Sequence, residues 1–123
     1  MEFDYFYGSK TSSMDWIEHL DVAVTATNAK GDIIYMNEKA GKTFLKQGGK
    51  ALVGSRLSSC HSERSNEIIE KIIRTKSNNV YTIEKDGKKK LIFQSPVMVN
   101  GSFTGLVELG IEIPFEMPHF VRE

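Results

Sequence analysis

The chain has 123 residues, which is long enough for one domain with one hydrophobic core and too short for two. Sixteen basic residues balance sixteen acidic ones, so the overall charge does not favour binding to nucleic acid or to a membrane surface. No apolar run approaches the roughly 20 residues that cross a bilayer. The single cysteine, Cys60, excludes an internal disulfide. We therefore expect a cytoplasmic globular protein that does not bind membranes.

A short helix and a β-hairpin open the predicted fold. Ser12 and Asp15 form the capping-box pattern of a helix start, and apolar residues follow them at helical spacing. Residues 22–27 then alternate between apolar and polar side chains with the period of a strand. Residues 32–36 form the returning strand, after a turn in which Gly31 is free to adopt positive φ.

Two helices are predicted in the middle of the chain. Asn37 follows the second strand directly as a helix N-cap, and this helix is expected to run to Gln47 before the glycine pair at 48–49. A second helix, over residues 65–76, has the clearest pattern because its isoleucines share one face. Those isoleucines are Ile68, Ile69, Ile72 and Ile73.

Three strands are predicted to complete the chain, over residues 80–85, 88–99 and 102–113. Asp86-Gly87 and Asn100-Gly101 are favoured two-residue hairpin turns between them. Two strands, helices and three strands favour an α+β fold, with a five-stranded antiparallel sheet and helices packed on one face. The space between sheet and helices is a natural ligand pocket. Alternation in the last strand predicts that its buried face carries Phe103, Gly105, Val107, Leu109, Ile111 and Ile113.

The order and spacing of these segments resemble the PAS family. Residues 21–37 look like the family's opening hairpin with its closing asparagine. Residues 52–54 look like its leucine-valine-glycine step, and residues 86–87 with 105–111 look like its closing hairpin. The resemblance implies a bacterial-type signalling module that binds a small ligand or cofactor and signals through a separate partner protein.

The resemblance also divides the chain into three parts. Residues 1–12 are a flanking segment, residues 13–113 the PAS domain and residues 114–123 a C-terminal tail.

The expected pocket walls are Ile33, Tyr35, Phe44, Leu52, Ile68, Ile72, Phe93, Val107 and Leu109.

Cys60-His61 is the sharpest local feature of the sequence. His61 precedes Ile68 by seven residues and Ile72 by eleven, so an extended helix would place all three in one stripe. A neutral imidazole in an apolar cavity is a common ligand of haem iron. His61 is similar to the ligating histidine of haem-binding PAS sensors, although Ser62 stands where those sequences have proline. The alternative is a His61 that is hydrogen-bonded to backbone at the helix mouth.

Cys60 has two interpretations as well. It is either a thiolate ligand or redox sensor, or a small apolar residue that fills the core. Its spacing from Gly54 differs from that of the flavin-adduct cysteine in light-sensing relatives, so flavin photochemistry is not expected.

No other pattern predicts catalysis or nucleic-acid binding. No nucleophile is paired with a base, and His19 and His119 lack metal-site spacing, so we expect no enzymatic activity. Lys85 and the lysines at 88–90 flank a hairpin turn, which is typical of a solvated tip.

Five aromatic residues in the first sixteen positions indicate a segment that is too apolar to be a free tail. It either supports a homodimer or packs over the open side of the sheet within one chain. The main alternative to ligand sensing is therefore a cofactor-free dimerisation or adaptor module with a self-filled core.

Overall fold

The protein is described here by a computed structural model that covers residues 15–57 and 63–123. Within these ranges no helix has the length and apolar character needed to cross a bilayer. Residues 114–123 form neither helix nor strand. In chain order the elements are α1 (Asp15–Glu18), β1 (Ala23–Thr27), β2 (Ile33–Met36), α2 (Glu38–Thr43), two 3₁₀ turns (Leu45–Gln47 and Gly49–Leu52), α3 (Glu63–Thr75), β3 (Asn79–Lys85), β4 (Lys88–Val99) and β5 (Ser102–Ile113).

The five strands form one antiparallel sheet in the order β2-β1-β5-β4-β3. The two closing hairpins form as predicted. Asp86 and Gly87 have φ of 55° and 76°, and Asn100 and Gly101 have φ of 51° and 80°. Positive φ at both central residues is the geometry that matches the twist of antiparallel strands. The predicted α+β fold is confirmed.

The predicted helix from Asn37 to Gln47 is shorter in the structure. Asn37 is its N-cap as expected, but α2 ends at Thr43 and the chain continues in two 3₁₀ turns. Gly48 adopts a φ of 127° between these turns. A Cβ at Gly49 would lie 3.1 Å from the carbonyl oxygen of Gly41. The glycines therefore let the chain fold back closely against α2.

One face of the sheet, the inner face, is covered by the helices. Ile33 and Leu106 from this face are buried in one cluster with Ile69 and Ile72 of α3 and Ala40 of α2. Cross-strand pairing fixes which residues share the inner face, since Thr25 pairs with both Met36 and Glu108.

The prediction for the two faces of β5 is wrong. Leu106 and Glu108 are buried on the inner face, whereas Val107 and Leu109 point to the opposite, outer face and stay partly exposed. Apolar alternation pointed the other way because the longer apolar row lies on the outer face. The polar residues of the inner face are buried because they hydrogen-bond with one another.

Candidate functional site

A cleft of about 610 Å³ lies over the inner face, between the sheet and the α2 region. Its size is within the range of small-molecule sites. Its lining comes from Ala23 and Thr25 of β1, from Lys39, Lys42, Thr43, Phe44, Leu45, Lys46 and Gln47 of α2 and the turn after it, from Tyr81, Ile83, Lys85, Asp86, Lys88, Lys90 and Ile92 of the β3–β4 hairpin, and from Glu108, Gly110 and Glu112 of β5.

Strand register arranges the floor of the cleft in three rows that cross the sheet. Side chains two residues apart on a strand share a face, so successive rows are about 7 Å apart. Taken from β1 across β5 and β4 to β3, the middle row is Ala23, Gly110, Ile92 and Tyr81, and the mouth row, which begins at β5, is Glu112, Lys90 and Ile83. The deep row is Thr25, Glu108, Gln94 and Asn79, of which Thr25 and Glu108 line the cleft and the other two continue the row beside it.

A hydrogen-bonded chain of polar side chains forms the deep row. The Nδ2 of Asn79 donates to the Oε1 of Gln94 over 2.9 Å, and the Nε2 of Gln94 donates to the Oε2 of Glu108 over 2.7 Å. Gln94 is 1% exposed and Glu108 is 8% exposed. Buried polar groups are tolerated when they are paired in this way, and the hydrogen bond to a carboxylate is the stronger type.

The middle row has a gap at Gly110, where no side chain covers the strand, and larger side chains at Ile92 and Tyr81. A Cβ at Gly110 would lie 3.5 Å from the Cβ of Ala23 and 3.9 Å from the Cδ1 of Ile92, so the absence of a side chain there leaves space in the floor. Tyr81 forms the other end of the row. Burial raises the pKa of Tyr81, and the negative charge of Glu108 adds to this, so its hydroxyl stays protonated and able to donate.

Lysines dominate the charge at the mouth of the cleft. Three of the six that line it have carboxylate partners. Lys39 is 2.9 Å from Asp21, and Lys88 is 3.8 Å from Glu112. Lys42 is similarly 3.8 Å from Glu38. Within the described ranges no carboxylate lies within 4.0 Å of the other three, which are Lys46, Lys85 and Lys90.

The predicted wall residues divide between three places. Among the described residues only Phe44 lines the cleft as predicted. Ile33 and Ile72 belong instead to the buried core cluster, and Leu52 and Ile68 are partly buried and pack against that cluster. The remaining four were predicted wrongly, because strand register places them on the outer face: Tyr35, Phe93, Val107 and Leu109.

The predicted haem ligand, His61, and its neighbour Cys60 lie outside the described residues, so their roles stay predictions. In the two described ranges, no three His, Cys, Asp or Glu side chains are grouped as a metal site requires. His19 is exposed and its Nδ1 is 3.3 Å from the Oε1 of Glu38, while His119 lies exposed in the tail.

Asn37 joins the wall of the cleft to the N-terminal helix, a role that its prediction as a helix cap did not include. Its Oδ1 accepts from the N–H groups of Ala40 at 2.9 Å and Val24 at 3.0 Å. Its Nδ2 donates to the carbonyl oxygens of Ile17 at 2.9 Å and Val22 at 2.7 Å. The side chain is 0% exposed and uses both of its donor hydrogens.

A second contact to α1 passes through Glu18. Its carboxylate accepts from the hydroxyl of Tyr35 over 2.8 Å and from the Nζ of Lys50. Lys50 and Tyr35 lower the pKa of Glu18 because both stabilise its charged form. Burial, with the hydrogen bond to Glu18, raises the pKa of Tyr35 to about 12.

The sheet order and the single helix-covered face define an α+β domain of the PAS type, and solved structures agree. The fold is similar to a C-terminal domain from Streptococcus mutans, with a TM-score of 0.68 and 19% identity, over 91% of this chain and 90% of that one. It is similar to the PAS domain of histidine kinase ThkA, with a TM-score of 0.59 and 22% identity, over 73% of this chain and 97% of that one.

The PAS domain of nitrogen regulation protein NR(II) from Vibrio parahaemolyticus is also similar, with a TM-score of 0.58 and 17% identity, over 85% of this chain and all of that one. At these identities the likeness defines the fold. The chain has the PAS fold, as the sequence resemblance predicted. No family model matches the sequence, and no curated protein matches it either.

Tyr35 is expected to ionise later than an ordinary tyrosine. Because its pKa in the folded state lies above the usual value of about 10, the stability it contributes is complete below about pH 10 and is lost as the pH rises to about 12. A titration of phenolate absorbance should show a late step that loses the amplitude of one tyrosine in Tyr35→Phe and that moves to lower pH in Glu18→Gln. An unchanged late step in Tyr35→Phe would contradict this assignment.

Replacing Asn37 should destabilise the whole domain. Asn37→Ala removes four hydrogen bonds at a fully buried position, so the free energy of unfolding should fall by about 3 kcal/mol in urea denaturation. The control is Gln47→Ala, at an exposed position, which should change it by less than about 0.5 kcal/mol. Equal losses in the two variants would show that the Asn37 amide does not hold the elements together.

Proposed function

We propose that this chain is a sensory signalling module, which binds a small molecule in the cleft and acts on a separate partner protein in the cytoplasm. It works by binding rather than by catalysis. The observation that carries the proposal is the cleft itself. One of its walls is the α2 region, and the N-cap of α2 is bonded directly to α1.

The proposed route from ligand to partner starts at α2. A ligand in the cleft contacts Phe44 and the lysines of α2, so it favours some positions of this short helix over others. The Asn37 side chain bonds Ala40 on one side and Ile17 on the other. A displacement of α2 therefore changes the carbonyl contact that positions α1, which follows the N-terminal segment in the chain. That segment is the proposed contact to the partner.

A narrower version of this proposal is that the ligand is haem, bound through His61 or through Cys60. The described residues do not favour haem. A porphyrin needs a large apolar surface. Here the deep row is polar through Thr25, Gln94 and Glu108, and Phe93 faces the other side of the sheet. We therefore propose a ligand smaller than haem.

The outer face supports a second candidate function, a homodimerising or adaptor module. Val24, Leu109, Phe93 and Val80 pair across four neighbouring strands, which gives this face a continuous apolar row. All four are partly or fully exposed, with Val80 at 51%. An exposed apolar row of this kind favours contact with another apolar surface. The N-terminal segment, residues 1–12, is the proposed second part of the dimer contact.

Ligand binding can be tested with a panel of named compounds by amide NMR. The panel consists of haemin, adenosine, amino acids and small carboxylates. A compound that binds in the cleft should shift the amide signals of Ile92 and Gly110 in the floor and also those of His19 and Leu20 after α1. Gly110→Leu should abolish these shifts, because its side chain fills the space beside Ala23.

The matched control for the cleft-filling variant is Val53→Leu, an enlargement at an exposed position outside the cleft. This variant should bind as the wild type does. If no compound shifts the floor signals, or if Gly110→Leu binds equally well, the ligand-sensing function is wrong and the adaptor function remains.

Dimerisation can be tested by light scattering. Val80→Lys places a charge in the outer apolar row and should convert a dimer into a monomer, and deletion of residues 1–12 should weaken the dimer. Val53→Lys, which adds the same charge at a position that is 43% exposed, should leave the dimer intact. A wild-type chain that is monomeric at high concentration would overturn this candidate.

A further inference from the structure

We propose that the ligand of this cleft is a small organic anion with an apolar body, whose anionic group lies among Lys46, Lys85 and Lys90. This inference rests on the cleft being the ligand site, as proposed above. It adds the chemical class of the ligand and the direction in which the ligand lies.

The cleft is lined mainly by positive charge. Six lysines line it against three acidic residues, which are Asp86, Glu108 and Glu112. The lysines come from two separate elements that face each other, the α2 region and the β3–β4 hairpin. Positive charges that converge across a cleft repel one another and raise the local concentration of anions. An anion between them relieves that repulsion.

Among the described residues, no carboxylate forms an ion pair with Lys46, Lys85 or Lys90. Lys90 stands in the mouth row, and Lys85 lies further along the same face, paired with Lys88 across the hairpin. Lys46 approaches from the turn after α2. These three have ammonium groups available for a ligand, whereas Lys39 is already held by Asp21 at 2.9 Å. The anionic group of the ligand therefore belongs at the mouth.

The surface between the mouth and the deep row is apolar. Ile92 and the gap at Gly110 form the floor there, and Phe44 and Leu45 form the wall. Leu45 is 73% exposed, so much of its side chain is in contact with water. An apolar ligand body over this surface removes it from water. An inorganic anion has no apolar body and would leave this surface in contact with water.

Strand geometry sets the length of the ligand. Lys90 and Gln94 are four residues apart on β4, which corresponds to about 13 Å between the mouth row and the deep row. A ligand with its anionic group at the mouth and its body over the middle row thus extends about 7 to 13 Å. That length fits an arylalkyl or medium-chain anion. Carboxylate and phosphate monoester groups share the chemistry that lysine ammonium groups recognise.

The test compares phenylbutyrate with its neutral isostere, phenylbutyramide, by amide NMR titration of the full chain. Phenylbutyrate should bind at least about tenfold more tightly at low salt, and added salt should reduce the difference. Acetate and inorganic phosphate should bind far more weakly than phenylbutyrate, since they lack the apolar body. Phenyl phosphate in place of phenylbutyrate distinguishes a phosphate ester from a carboxylate.

The double variant Lys85→Gln/Lys90→Gln should reduce phenylbutyrate affinity by about tenfold and leave phenylbutyramide affinity unchanged. Its matched control is a second double variant, Lys85→Gln/Lys89→Gln. Lys89 pairs with Ile113 and Glu84 on the outer face, so this control removes the same total charge from the hairpin but leaves Lys90 in the cleft. The control should bind phenylbutyrate more tightly than the Lys85→Gln/Lys90→Gln variant does.

Three results would overturn the anion proposal. One is equal binding of the acid and the amide, and another is equal loss in the two double variants. The third is binding of acetate as tight as that of phenylbutyrate, which indicates an adventitious ion only. In each case the sensory function survives if a neutral compound shifts the floor signals in the wild type and not in Gly110→Leu.

Discussion

The buried amide of Asn37 is the interaction on which the rest of the domain depends. It lies where β2 ends and α2 begins, and it bonds backbone groups of α1, β1 and α2 at once. Backbone groups at helix starts and chain crossings need partners when they are removed from water. One side chain meets that need for three elements. As a result the first turn of α2 is anchored to β1 and to α1 beside the cleft.

The two faces of the sheet differ in polarity, and the difference is the reverse of what their burial would suggest. The inner face is polar where it is deepest, through the Asn79–Gln94–Glu108 chain, and the outer face is apolar although it is partly exposed. A polar network that is satisfied in the interior specifies one arrangement of the strands, because any other leaves its members without partners. The apolar outer face has no such requirement and suits contact with another surface. The cleft and the exposed apolar row therefore lie on opposite faces of one sheet.

Much of the fold was predictable because it depends on local chemistry. Asn37 as a cap, the two positive-φ hairpin turns and the isoleucine face of α3 all follow from short sequence patterns. The site was less predictable because it depends on pairing between strands that are distant in sequence. Phe93 and Leu109 looked like pocket walls, yet the register places them outside. The missed residues had a weak signal, since Gly110 and Ala23 are small residues in strands and Glu108 interrupts an apolar run.

One irregularity outside the lining of the cleft decides which side chains of β3 and β4 form its floor. The β4–β5 pairing shifts between Val97 and Met98, close to the Asn100-Gly101 turn, and every pair beyond that point follows from this offset. Side chains alternate strictly along a strand, so a slip of a single residue reverses the facing of all of them. Without the offset, Phe93 would exchange places with its neighbour Gln94. A change of parity in this one hairpin would turn β3 and β4 over relative to β1 and β5, and would dismantle the floor of the cleft without altering any residue that lines it.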